Sequence, residues 1–377
     1  MDILTSIGSF LIGTIVPFLL VLTAVVFFHE LGHYLVGRWC GIRALAFSVG
    51  FGPELIGWTD KRGTRWRLSA VPLGGYVRFL GDENAASAPD TGSIAELSPE
   101  ERRHSLGGAD LWRRAATVAA GPLANFVLAI AVFSALFLMD GRMVADPVVA
   151  RVQPGSAAAA AGIAPGDRFV SIDGARTATF DDVRRIVSQR PGERLDMVLS
   201  RDGHDVSLDI TPRSSEITDR FGNTMQVGLI GVVTDQSAGN FRRIRYGPVE
   251  ALGQGALESW RIVAHTGLYI GNIFAGRQSA DELGGPIRVA QVSGQVATLG
   301  VVALIHLVAV LSVSIGLLNL MPIPMLDGGH LVFYAIEGAT GRPLGERIQE
   351  AAFRFGLALV LMLMVFATWN DVSRIFG

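Results

Sequence analysis

"FFHELGHYLVG", residues 27–37, closes a stretch in which no Lys, Arg, Asp or Glu occurs between Asp2 and Glu30. A run of this length and apolarity reads as a membrane-crossing helix. Two histidines and a glutamate nevertheless stand at its end, and ionisable groups at membrane depth need a partner or a function. On a helix, positions i and i+4 share a face, so His29 and His33 can present two imidazoles to one metal ion while Glu30 reaches toward a water beside it. The competing reading is local capping by three polar residues at a helix end.

The rest of the chain fits a membrane setting. Its 377 residues are 50% hydrophobic and 18% charged, with a mean hydropathy of +0.40, too apolar for an ordinary soluble enzyme. Four segments, about 7–36, 115–139, 299–320 and 355–371, are long enough to span hydrocarbon, the last being the shortest. The first is expected to be a retained span rather than a cleaved leader, because no basic stretch precedes it and no A-x-A-like site follows. The loop at 38–114 carries eleven Lys or Arg, against none in residues 1–6 and only Arg374 in the tail. That bias predicts a cytoplasmic loop, both termini on the periplasmic side and an extracytoplasmic segment at 140–298. A net charge of −2 without a basic, aromatic-laced patch gives no support to nucleic-acid binding. The lone cysteine, Cys40, excludes an intrachain disulfide.

The expected class is therefore a polytopic α-helical membrane protein of about four transmembrane helices, with a membrane-associated β-hairpin region and an α+β extracytoplasmic domain. The pattern divides into a first transmembrane helix with the His-Glu pair at 1–40, a cytoplasmic β-hairpin region and mobile loop at 41–112, and a second transmembrane helix at 113–140. Strand-like runs around a helix at 146–212, with Gly turns in "PGSAAAAAGIAPGDRFVSIDG", resemble a PDZ domain. An extracytoplasmic linker and amphipathic helices follow at 213–298, then a third transmembrane helix and Leu-Asp-Gly segment at 299–335, and a loop and fourth transmembrane helix at 336–377.

A four-coordinate catalytic zinc needs a third protein ligand and an open position. "NLMPIPMLDGGH", residues 319–330, offers Asp327 past a proline-interrupted stretch where helix must break. His330 is its rival as ligand, and an Asx-turn before Gly-Gly is the local alternative for Asp327. Asn125 lies inside the second span, where an amide must bond across helices, and reads equally as packing or substrate contact.

Taken together, HELGH, "PLGGYVRFLGD" at 72–82, "GPLANF" at 121–126, "GGPIRVAQ" at 284–291 and "NLMPIPMLDGGH" resemble the site-2 protease family of intramembrane zinc metalloproteases, most closely its regulator-of-sigma-E branch, in single-PDZ form. The resemblance implies Zn2+ held by His29, His33 and Asp327, with Glu30 as catalytic acid and base. It also implies active-site or substrate support from Asn319, with Asn125, Gly74, Gly75 and Tyr76 as further candidates. The implied substrates are single-span membrane proteins cut within or near their transmembrane segment. Among these, a pre-trimmed anti-sigma factor or signal-peptide remnants are expected, with the PDZ module screening access and the active site toward the cytoplasmic face of the inner membrane. The alternative is a non-catalytic PDZ-bearing scaffold or a metal transporter. Against it stand the lack of internal repeats and the presence of Glu30, for which a scaffold has no use.

Overall fold

The computed structural model describes residues 11–82, 97–218, 224–234, 241–274 and 284–376. Four helices among them are long and apolar enough to cross a membrane: Ile12–Trp39, Leu111–Met139, Val301–Asn319 and Arg347–Ser373. The protein is a multi-pass membrane protein with β-strand regions. It divides into two compact units, one of residues 1–136, 251–268 and 281–377, the other of residues 137–250 and 269–280.

In the first unit a π-helical turn, Leu11–Ile15, leads into α1 (Val16–Trp39), which carries proline in its first turn. Strands β1 (Ala44–Thr59) and β2 (Arg65–Phe79) follow. In the expected β-hairpin region these are two long strands that bend back on each other. Ala46 to Val49 pairs with Arg78 to Gly75 on one edge, and on the other with Arg65 to Leu68, where both numbers rise together. The register shifts along β1 make these bends. Tyr34, Phe47, Val77, Phe79 and Leu106 form a buried cluster between α1 and this sheet. The turn between the strands is fixed by Asp60, which accepts hydrogen bonds from the Arg62 and Thr64 backbone, the Tyr34 hydroxyl and the Trp66 indole. Desolvation pushes its carboxyl up, but these donors hold it well below the usual range, at about 2.

Of the mobile loop expected to close the 41–112 region, residues 83–96 lie outside the described residues. The remainder contains α2 (Pro99–Arg103), five residues set by a Ser98–Glu101 capping box and too short for periodicity to reveal. The second span is α3 (Leu111–Met139), with Pro122 inside it.

The second unit holds β3 (Arg142–Ala145), β4 (Arg151–Val152), α4 (Ala157–Ala160), β5 (Arg168–Ile172), β6 (Ala175–Arg176), α5 (Phe180–Ser188), β7 (Leu195–Arg201) and β8 (His204–Ile210). A four-stranded antiparallel sheet of order β6-β5-β7-β8 buries Phe169, Ile172, Leu195, Met197 and Leu199 under Val183 and Val187 of α5. Arg201 forks onto the buried Asp167 and holds its carboxyl below the usual range. Residues expected as linker form β9 (Arg213–Thr218) and β10 (Thr224–Leu229), paired with each other. Next come β11 (Val232–Val233), paired with β4, and β12 (Phe241–Ile244), paired with β3.

Helix α6 (Pro248–Phe274) returns to the first unit, where Gly255 lies against Ser134 and the Ile130 carbonyl of α3. The remaining helices are α7 (Pro286–Ala297), α8 (Val301–Asn319), α9 (Asp327–Thr340) and α10 (Glu346–Phe376). The last extends well past the apolar stretch legible in the sequence. Its first turns are polar and carry an Arg354–Glu350 pair at i,i+4, which supports helix without adding hydropathy. The Ser312 hydroxyl donates to the Asn125 main-chain carbonyl at 2.9 Å, and Gly316 faces the Pro122 main-chain carbonyl, so α8 and α3 cross through small residues.

Candidate metal centre

The site lies wholly in the first unit and draws on α1, α3, β2 and α9. Helical spacing sets His29 and His33 one turn apart, with their Nε2 atoms 3.2 Å from each other. Asp327 opens α9 and turns its carboxylate to both: Oδ2 is 3.2 Å from His29 Nε2 and Oδ1 is 3.5 Å from His33 Nε2. Their ligand atoms lie within 4.8 Å of one another, and no other such group of His, Cys, Asp or Glu is found among the described residues.

The surroundings orient these donors. His33 Nδ1 lies 2.9 Å from the Thr117 carbonyl of α3. A carbonyl only accepts, so Nδ1 carries the proton and Nε2 turns its lone pair to the cluster. His29 Nδ1 lies 3.3 Å from the Asn125 amide, which is wholly buried and whose Oδ1 lacks a partner. Asp327 Oδ2 is also buried and makes no bond of hydrogen-bond geometry despite its close approach to His29. Two imidazole nitrogens and a carboxylate oxygen that converge this closely are an arrangement a cation would hold together. Two imidazole nitrogens and one carboxylate oxygen are a donor set that zinc takes in catalytic sites, leaving a position open.

Two glycines make room for this arrangement. A Cβ on Gly121 would fall 2.2 Å from His33 Nε2, so only glycine lets α3 pass behind that ring. A Cβ on Gly75 would fall 3.2 Å from Glu30 Cγ and 2.7 Å from the Ser48 carbonyl, so β2 reaches the glutamate only through a residue without a side chain. Glu30 is bonded by the Val77 backbone of the same strand.

A cavity of about 180 Å³ opens on the cluster. Of the residues singled out in the sequence, His29, Glu30, His33, Tyr76, Asn319, Asp327 and His330 line it. Asn125 stands behind His29, Gly75 behind Glu30, and Gly74 against the Phe51 ring, outside the cavity lining. His330 reaches the cavity wall but is not in the three-residue cluster; its ring packs on Phe353 at 5.3 Å. His306 packs on Phe133. Sequence reasoning missed the Thr117 carbonyl, the Val77 backbone, Val118, Leu106 and Met325. Main-chain groups and apolar side chains carry no signal at the level of sequence.

Membrane helices that gather a His-His-Asp cluster around a glutamate and a cavity define a metallopeptidase class set in the bilayer. The chain belongs to peptidase family M50, whose family model matches residues 17–363. It is 61% identical over its whole length to a protein named as a zinc metalloprotease in Agrobacterium fabrum, which it covers in full. It is 41% identical to Metalloprotease MmpA of Caulobacter vibrioides, over 96% of this chain and 95% of that one. It is 30% identical to the regulator of sigma-E protease RseP of Escherichia coli, over 95% of this chain and 98% of that one. The protein is a zinc metalloprotease of the site-2 protease type. Among solved structures, a PDZ domain from Listeria monocytogenes aligns with 23% of the chain and 84% of its own length, at 18% identity and a TM-score of 0.19, below the level that defines a shared fold.

Proposed function

We propose that His29, His33 and Asp327 hold the zinc and that Glu30 is the acid–base group of an endopeptidase cutting single-span membrane proteins within or near their transmembrane segment. The observation that carries this reading is the convergence of three potential ligand atoms, all within 4.8 Å of one another, beside Glu30 at one cavity. Zinc held there supplies Lewis-acid chemistry, making a water acidic near neutral pH and polarising the scissile carbonyl. The Glu30 carboxylate accepts a proton from the attacking water and delivers it to the leaving amine. Thr117 and Asn125 fix the two imidazoles from behind. With its amide turned so that Oδ1 meets His29 Nδ1, Asn125 gives that nitrogen an acceptor, and His29 then presents its Nε2 lone pair as His33 does. Tyr76 and Asn319, on the cavity wall, contact the substrate.

Helical carbonyls are already hydrogen-bonded, so the segment to be cut must first unwind. The strand at Gly75–Phe79, which runs beside Glu30, captures it by adding a strand. The module at 146–212, with its sheet and α5, acts as a single PDZ-like domain that screens substrates. Those substrates include a pre-trimmed anti-sigma factor, in line with the name of the E. coli relative, and signal-peptide remnants.

Glu30→Gln tests the reading, since it keeps side-chain volume and removes the proton acceptor. The variant retains zinc and a membrane-embedded model substrate but cleaves it about 10² to 10⁴ times more slowly. Equal cleavage by both proteins, measured by product mass, moves the chemistry elsewhere.

A further inference from the structure

The segment leading into Asp327 turns through a residue ill suited to its backbone. The Leu326 N–H donates to the Ile323 carbonyl at 3.1 Å, Pro324 follows Ile323, and Met325 has φ +83°. These features describe a type II β-turn, whose third position requires positive φ and takes glycine or asparagine. The other non-glycine residues at positive φ among those described are Asp173 and Asp202, of a type that tolerates this region. Methionine does not, because its Cβ crowds the following carbonyl. Glycine would make the turn without that cost, so the turn itself gives no reason for a side chain at 325.

The cavity does. Met325 lines it together with His29, Glu30, His33 and Asp327, and remains 36% exposed, so packing against the protein does not account for it either. Val77, Phe79, Leu106, Val118 and Leu326 supply the other apolar walls. We infer that Met325 forms the adaptable wall of the subsite that receives an apolar substrate side chain next to the bond cut. The inference rests on the proteolytic reading above. An unbranched thioether chain with three rotatable bonds fits apolar side chains of different shape, as membrane-spanning substrates require. Observed strain at a reaction site thus has a use that glycine could not provide.

The test uses the full-length protein in liposomes with single-span substrates that differ only in the residues flanking the cut, set to Ala, Leu or Phe. Met325→Gly and Met325→Ala both remove the side chain, and only the first relieves the backbone. Both are expected to shift the ratio of kcat/KM for Phe over Ala substrates in the same direction by about 10-fold. Only Met325→Gly is expected to raise the melting temperature. Unchanged ratios in both variants, with zinc content intact, overturn the assignment. Loss of zinc from both also overturns it, making residue 325 a support of the Asp327 turn. Failure of the wild type to cut any substrate in the panel removes the proteolytic reading and this assignment with it.

Discussion

Arg114, in the first turn of α3, grips Glu337 of α9 with both terminal guanidinium nitrogens, one at 3.1 Å, and lies over the Tyr334 ring. One turn further along α3, the Thr117 carbonyl holds His33. The start of α3 thus fixes both sides of the site: the helix bearing the histidines and the helix that Asp327 opens. Both partners of the ion pair are largely buried, at 15% and 17% exposure. Arg114→Ala leaves the Glu337 charge buried and alone, and is expected to destabilise the protein by about 3–5 kcal/mol. Exchanging the two charges in a double variant should recover part of that loss in a detergent melting curve. A melting point unchanged by Arg114→Ala would show that the pair does not hold the helices.

Metal content separates the ligand candidates. Purified protein should carry about one zinc per chain, lost in His29→Ala and in His33→Ala. Asp327→Ala should lower occupancy more than His330→Ala, because Asp327 meets both imidazoles while the His330 ring packs at a tilt against Phe353. Elemental analysis decides it, and the reverse order would make His330 the third ligand.

Asn125→Leu keeps the volume and removes the acceptor at His29 Nδ1. Zinc affinity is expected to fall by about 10- to 100-fold, the usual cost of losing a group that orients a ligating histidine. Competition with a chelator measures it at fixed pH. Unaltered affinity would assign the buried Asn125 side chain to helix packing.

Orientation in the membrane rests on the basic bias of residues 38–114. A reporter fused after Gly377 should read the periplasm, and one inserted near Ala86, outside the described residues, the cytoplasm. A periplasmic signal from the second would invert the topology and move the module at 146–212 to the cytoplasm.

The sequence by itself determined the membrane class, the number of spans and the pairing of His29 with His33. Apolar run length is counted along the chain, and a four-residue spacing fixes a shared helix face wherever that helix lies. Local pattern alone left Asp327 and His330, three residues apart and both able to ligate zinc, as rivals, and only the family resemblance implied Asp327. In the tertiary structure α9 starts so that Asp327 turns onto both imidazoles while the His330 ring packs against Phe353. The sequence could not reveal that the Thr117 carbonyl faces His33, that Gly121 and Gly75 make space for a ring and a carboxylate, or that Met325 occupies a glycine's position in a turn. Those facts depend on which segments meet, and close approach between backbones leaves no periodicity for a sequence to display.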